Sequence, residues 1–240
     1  MAATSHSDPI PGWLLDEVAS AGRENLDPEH VARYDDKEDA GAQAEVAACE
    51  ALGIGPLSTV VEFGSGTGQF TTAVASRCAR VVAVDVSAVM QGRLRTKLND
   101  DGDTNVDQVQ AGFLTYQHTG EPADLVYSRY ALHHLPDLWK AVALDRIHGI
   151  LRPGGVFRLW DVVFCFEPSE VAERIESWCS TGGSSVEDDW SRSELEEHVR
   201  DQHSTFSWIL EPMAVRCGFT VESADYSDDQ IVAKYVLRRT

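Results

Sequence analysis

The order of patterns along this chain predicts an α/β fold: an open parallel sheet with helices on both faces that ends in an antiparallel pair of strands. Three observations carry the prediction. Residues 58–71 read as a buried strand, a glycine turn and a helix start. Apolar runs at 80–85, 122–128 and 156–163 alternate with helical patterns, as the strands of a parallel sheet do. Residues 219–226 and 231–238 alternate in polarity around Ser227-Asp-Asp-Gln230, the pattern of a hairpin.

Residues 1–10 are small and polar, as a frayed end would be. Residues 11–20 form a short amphipathic helix pattern with Trp13, Leu14 and Val18 on one side. Asp27-Pro28-Glu29 supplies an N-cap acid followed by proline at the first helical position. A further helix is expected over 41–52, stopped by Gly53-Ile-Gly-Pro56. Residues 1–54 are thus expected to form an N-terminal helical cap, placed to cover a ligand.

In the first strand Thr59, Val60, Val61 and Phe63 are β-branched or aromatic. Glycine follows at 64, 66 and 68, where a side chain would block a tight turn or hold a ligand off the backbone. From Thr67 the sequence opens a helix, and strand, turn and helix N-terminus together make a ligand cradle. A dinucleotide fingerprint needs a third glycine where this chain has Gln69, which argues against a nicotinamide dehydrogenase.

The second strand ends in Asp85, and Ser87 caps a helix to about residue 98. A weaker strand over 106–110 leads into Ala111-Gly112-Phe113. After the fourth strand a helix covers 136–150, and Arg152-Pro-Gly-Gly155 reads as a turn feeding the fifth. Ligands of such sheets sit beyond the carboxyl ends of the strands, and every motif named here falls at that edge. Residues 167–218 carry helical patterns and no convincing strand, with a capping box at Ser191-Arg-Ser-Glu194 and a helix over 206–217. A domain over 55–240 with a helical lid inserted at about 165–218 is expected.

The 240 residues can bury one substantial core, and 43% of them are hydrophobic. Net charge is −19, with four lysines among twenty basic residues. Such a surface repels phosphate backbones and anionic membranes, so no nucleic-acid or membrane partner is expected. Acid clusters at 35–39, 100–103 and 187–189 read as a solvated face. Five cysteines without a C-x-x-C pair fit free thiols, and with no signal peptide or membrane-length apolar run the cytoplasm is the expected location. No metal is implied.

The pattern Glu62-x-Gly64-x-Gly66-x-Gly68 resembles the first motif of the class I S-adenosylmethionine-dependent methyltransferases. Ser128-Arg-Tyr-Ala-Leu-His-His-Leu-Pro-Asp137 and Leu151-Arg-Pro-Gly-Gly155 are similar to segments of small-molecule members related to the quinone-pathway enzymes. The resemblance covers residues 55–165 by motif and the whole chain by order of elements. It implies a Rossmann-like seven-stranded sheet with an antiparallel last strand, helices on both faces and a helical lid. It also implies S-adenosyl-L-methionine as cofactor, and methyl transfer to a small-molecule acceptor.

By the same resemblance Gly64, Ser65, Gly66 and Gly68 form the cofactor turn, which Glu62 orders while helping to hold the amino-acid part. Glu62 can equally be a strand-end carboxylate satisfied by amides. Asp85 would hold the ribose hydroxyls, or else cap a helix. Val86, Gly112 and Phe113 fall near the adenine, where many members have an acid in place of Gly112. Ser128 falls at the end of the fourth strand, and Tyr34 either reaches the methionine end or belongs to the core.

His133 or His134 could remove a proton from the acceptor, or the pair could simply shape its loop. The lid offers Trp160, Phe164, Phe166, Trp178, Trp190, His198, His203, Phe206 and Trp208, of which two or three are expected to line a pocket. The alternative function is a cofactor-binding partner or regulatory protein without catalysis.

Overall fold

Residues 11–22, 25–32, 41–102, 104–183 and 190–240 are described by a computed structural model. The side chains of neighbouring strand residues point to opposite faces, yet Val60 and Val61 are both fully buried, so the sheet must be covered on both sides. The first strand, β1 (Thr59–Phe63), lies between β2 (Arg80–Asp85) and β4 (Ala123–Arg129), parallel to both. Outside β2 is β3 (Val106–Gln110), and β5 (Leu151–Phe164) continues the parallel array beyond β4. The last strand, β8 (Val232–Arg239), inserts antiparallel between β5 and β7 (Phe219–Tyr226). The order is β3-β2-β1-β4-β5-β8-β7, the expected seven strands with the reversed last one.

On one face, Val61, Phe63, Val126 and Phe157 meet Ala143, Leu144 and Ile147 of α6 (Asp137–Ile150). On the other, Val60, Val81, Leu125 and Tyr127 meet Val46 and Cys49 of α3 (Ala42–Ala51) and Phe70 and Val74 of α4 (Gln69–Ala75). Each fully buried aliphatic side chain here contributes about 1.5–3 kcal/mol. The same face carries a buried ion pair: Arg158 of β5 donates to Glu45 of α3 at 3.1 and 3.3 Å. Lys234 adds a third donor at 2.9 Å. Burial pushes the Glu45 carboxyl up, but the hydrogen bonds and charges of Arg158 and Lys234 outweigh it and hold the group below its usual value.

The N-terminal helices α1 (Glu17–Ser20) and α2 (Pro28–Ala32) precede α3, and α5 (Ala88–Asp101) joins β2 to β3. Between β5 and β7 lie α7 (Val171–Thr181), α8 (Arg192–Asp201) and α9 (Ser207–Arg216). The capping box of α8 forms as expected: the Ser191 hydroxyl accepts from the Glu194 amide, and the Glu194 carboxylate accepts from the Ser191 amide.

Three local expectations are corrected. Arg152–Gly155 is not a turn before β5 but part of it, an irregular stretch where the register with β4 shifts between Ala123 and Leu125. A two-residue strand, β6 (Thr205–Phe206), pairs with β5 inside the segment read as purely helical; two residues leave no periodicity to read. In α1 the buried residue is the acid Glu17, while Trp13 and Val18 are exposed and Leu14 packs on the core.

Candidate cofactor site

Three glycines follow β1 in the left-handed region, at φ +70° (Gly64), +52° (Gly66) and +87° (Gly68), but they serve different ends. A Cβ on Gly64 would collide with Ala131, and one on Gly68 with Leu94. A Cβ on Gly66 would meet nothing within 4 Å. Two of the glycines therefore permit packing, and Gly66 borders open space.

Asp85 ties this turn to the end of β2. Its Oδ2 accepts from the Gly66 amide at 2.8 Å, and its Oδ1 from the Ser87 amide at 2.7 Å. Burial pushes the Asp85 carboxyl up, opposed by those two amides. Behind the turn, Glu62 accepts from the Thr71 hydroxyl of α4. Burial drives Glu62 up to about 8; the Thr71 bond opposes this and the charge of Asp85 reinforces it.

A cavity opens at this edge of the sheet. Gly64, Gly66, Asp85, Val86, Gly112, Phe113 and His134 all border it. Glu62, Ser65, Gly68, Ser128 and His133 do not. Ser65 accepts from Gln91 at 3.4 Å and is buried, and Ser128 is fully buried with its hydroxyl unpartnered. Tyr34 lies outside the described residues.

The two histidines part company. His133 is packed behind the cavity, its Nδ1 on Asp161 Oδ1 at 2.5 Å and its amide on Asp161 Oδ2 at 3.0 Å. Burial raises the Asp161 carboxyl, but the charge and hydrogen bond of His133 prevail and hold it low. His134 faces the cavity. Its Nδ1 meets Gln202 Oε1 at 2.7 Å, so this nitrogen carries the proton and Nε2 keeps its lone pair, 3.5 Å from Asn25 Nδ2. Burial, then the neighbouring His133, pushes His134 down to about 3.

None of the nine aromatic and histidine side chains expected to furnish the lid borders this cavity, and two of them, Trp160 and Phe164, belong to β5. Instead Phe164, Phe166, Trp178 and Phe206 pack with Val162 and Ile231 as a second small core. They pack because β6 draws Phe206 against β5, a pairing the sequence did not announce.

Sequence reasoning passed over Glu17, Asn25, Arg129, Tyr130 and Asp161. The Arg129 guanidinium lies over the Trp160 ring at 4.3 Å and the Tyr130 ring at 5.0 Å, at the cavity wall. Tyr130 holds φ at +48°, unusual for a residue with a large side chain. Only Asp161 left a signal, a lone acid inside an apolar strand run. Among the described residues no cluster of ligands for a metal is present, and no helix is long and apolar enough to cross a membrane.

Residues 60–155 match the family model described as a methyltransferase domain. An uncharacterized methyltransferase of Geobacillus kaustophilus is 33% identical over 138 residues, 55% of this chain and 60% of that protein's length. One from Anoxybacillus flavithermus is 33% identical over 168 residues, 68% of this chain and 70% of the relative. The chain belongs to the class I S-adenosylmethionine-dependent methyltransferases.

Solved structures agree in fold. The N-methyltransferase NodS of Bradyrhizobium japonicum, in complex with S-adenosyl-L-homocysteine, aligns with a TM-score of 0.61 at 17% identity, covering 94% of this methyltransferase and 99% of NodS. Magnesium protoporphyrin IX methyltransferase of Synechocystis aligns at 0.58 and 14% identity over 82% of each chain. S-adenosylmethionine is the family's cofactor, and the residues here fit it. Gly66 leaves room at the turn, Asp85 presents a carboxylate to the cavity, and Val86 and Phe113 supply an apolar wall.

Proposed function

We propose that this methyltransferase transfers the methyl group of S-adenosylmethionine to a small-molecule acceptor in the cytoplasm by in-line displacement. The observation that carries the reading is the meeting of the Gly66 turn, the Asp85 carboxylate and the Val86–Phe113 wall in one cavity beyond β1, β2 and β3. Asp85 takes the ribose hydroxyls on its remaining lone pairs while holding the Gly66 and Ser87 amides. Glu62, through Thr71, fixes the first turn of α4, and Gly64, Ser65 and Gly68 shape the loop that receives the amino-acid part. Ser128 supports that loop from β4, beside Phe63 of β1. Val86, Gly112 and Phe113 border the base, and Tyr34 serves the methionine end.

Bound S-adenosylmethionine supplies a methyl group activated by its sulfonium. The chain supplies orientation and exclusion of water. Residues 1–54 act as a cap and residues 165–218 as a lid, a reading supported by Asn25 and Gln202 reaching the same imidazole from those two segments. That imidazole, His134, keeps an unprotonated Nε2 beside Asn25 at the cavity wall and serves as the acceptor's base. His133, fixed by Asp161, positions it from behind, with ring centroids 4.4 Å apart. A small acceptor is supported by the net charge of −19, which disfavours nucleic acid. A reducing compartment is supported by five free cysteines.

The test is incubation with methyl-labelled S-adenosylmethionine and a panel of phenols, quinols, amines and thiols. Label on at least one small acceptor is expected. Tight binding of S-adenosylhomocysteine with no label on any acceptor would instead favour a cofactor-binding protein without catalysis.

A further inference from the structure

One wall of the cavity holds a carboxylate that comes from outside the sheet and its crossover helices. Glu17, in α1, is 8% exposed and borders the same space as Val86, Gly112 and Phe113. Its Oε1 accepts from the Leu114 amide at 3.1 Å, and its Oε2 from the Thr115 hydroxyl at 3.1 Å. The three atoms nearest to a Cβ built on Gly112 are all of the Glu17 carboxyl group, close enough to collide. Gly112 is not among the residues of positive φ, so its backbone does not require glycine. Glycine at 112 makes room for a carboxylate delivered by another part of the chain.

A carboxylate has about four lone-pair sites, and the Leu114 amide, the Thr115 hydroxyl and the Phe113 backbone occupy three. The one left can accept an N–H from a planar ring lying along Val86 and Phe113. A ring amino group satisfies it, whereas a ring carbonyl would place acceptor against acceptor in a buried slot.

We propose that Glu17 is the base-reading residue of the cofactor pocket, selecting a 6-aminopurine over a 6-oxopurine, so that the N-terminal segment and not the sheet identifies the adenine. This rests on the cofactor reading above. It also makes cofactor binding and seating of α1 one event, because the residue that reads the base is carried by the cap.

The test compares dissociation constants of S-adenosylhomocysteine and S-inosylhomocysteine, its 6-oxo counterpart, for the full chain, for Glu17→Gln, and for the double variant Glu17→Ala with Gly112→Asp. The wild type is expected to prefer the adenosyl compound by roughly 10- to 100-fold. Glu17→Gln, whose amide can turn its NH2 to a carbonyl, should bring the two within about threefold. The double variant restores an acid in the same space and should regain the preference. An unchanged preference in Glu17→Gln, or equal loss of both compounds there with no recovery in the double variant, would overturn the assignment. If the wild type binds neither compound, it is the cofactor reading itself that fails.

Discussion

The carboxylate of Asp85 and the amide of Gly66 meet at 2.8 Å, joining the ends of two adjacent strands at the mouth of the cavity. The same carboxylate holds the Ser87 amide, so Asp85 builds the site as well as facing it. Asp85→Asn can still accept from one of those amides, whereas Asp85→Ala leaves both without it. Affinity for S-adenosylhomocysteine should fall at least tenfold in Asp85→Asn and further in Asp85→Ala, by about 1.4 kcal/mol per decade. Calorimetric titration checks the order; equal affinity in all three proteins would refute it.

Gly66 and Gly68 separate ligand binding from packing. Gly68→Ala meets both a left-handed backbone and the Leu94 side chain, and should cost about 2–4 kcal/mol of stability. Gly66→Ala has space for its methyl group and should cost only about 1–2 kcal/mol, while weakening cofactor binding tenfold or more. Urea unfolding and ligand titration of both variants give the comparison, and the reverse pattern would contradict it.

His134→Ala should lower turnover roughly 100-fold while changing cofactor affinity less than threefold, because its unprotonated Nε2 lies beside Asn25 at the cavity wall. Asp161→Ala should act differently. It strips the buried His133 of its partner and should reduce stability by about 3–5 kcal/mol. Turnover and urea midpoints together distinguish a base from its support.

Two buried glutamates give opposite pH signatures. Glu62, raised by burial to about 8, stays protonated in the folded chain where the unfolded chain ionises near 4.5. The folded state binds more protons across that window, so this group lowers stability as pH rises from about 4.5 to 8, by at most about 1.4 kcal/mol per unit. Glu62→Gln should flatten that decline in the ligand-free protein. Glu45 is held below 4.5, so its contribution is present at neutral pH and lost on acidification below 4.5 as the folded group takes its proton. Glu45→Gln should weaken that acid-side loss, and urea midpoints against pH test both.

How much could be read beforehand follows the range of the interactions. The glycine turn, the apolar strands and the closing hairpin are local patterns, and β1, β2, β4, β7 and β8 lie where those patterns put them. What stayed hidden is long-range. Glu17 reaches Leu114 across 97 residues, and His133 reaches Asp161 across 28. Neither pair has a periodicity that links its members. The amphipathic side read in residues 11–20 misled for a related reason: the pocket claims the acid of α1, and Trp13, although it stacks on Trp139 at 6.2 Å, stays largely in solvent.

The most direct measurement is isothermal titration of the full chain with S-adenosylhomocysteine. The expected result is one molecule per chain with a Kd at or below about 10 μM, some ~7 kcal/mol of binding free energy. Absence of both heat and thermal stabilisation at millimolar ligand would contradict the central claim that the Gly66–Asp85 cavity holds the methyl donor.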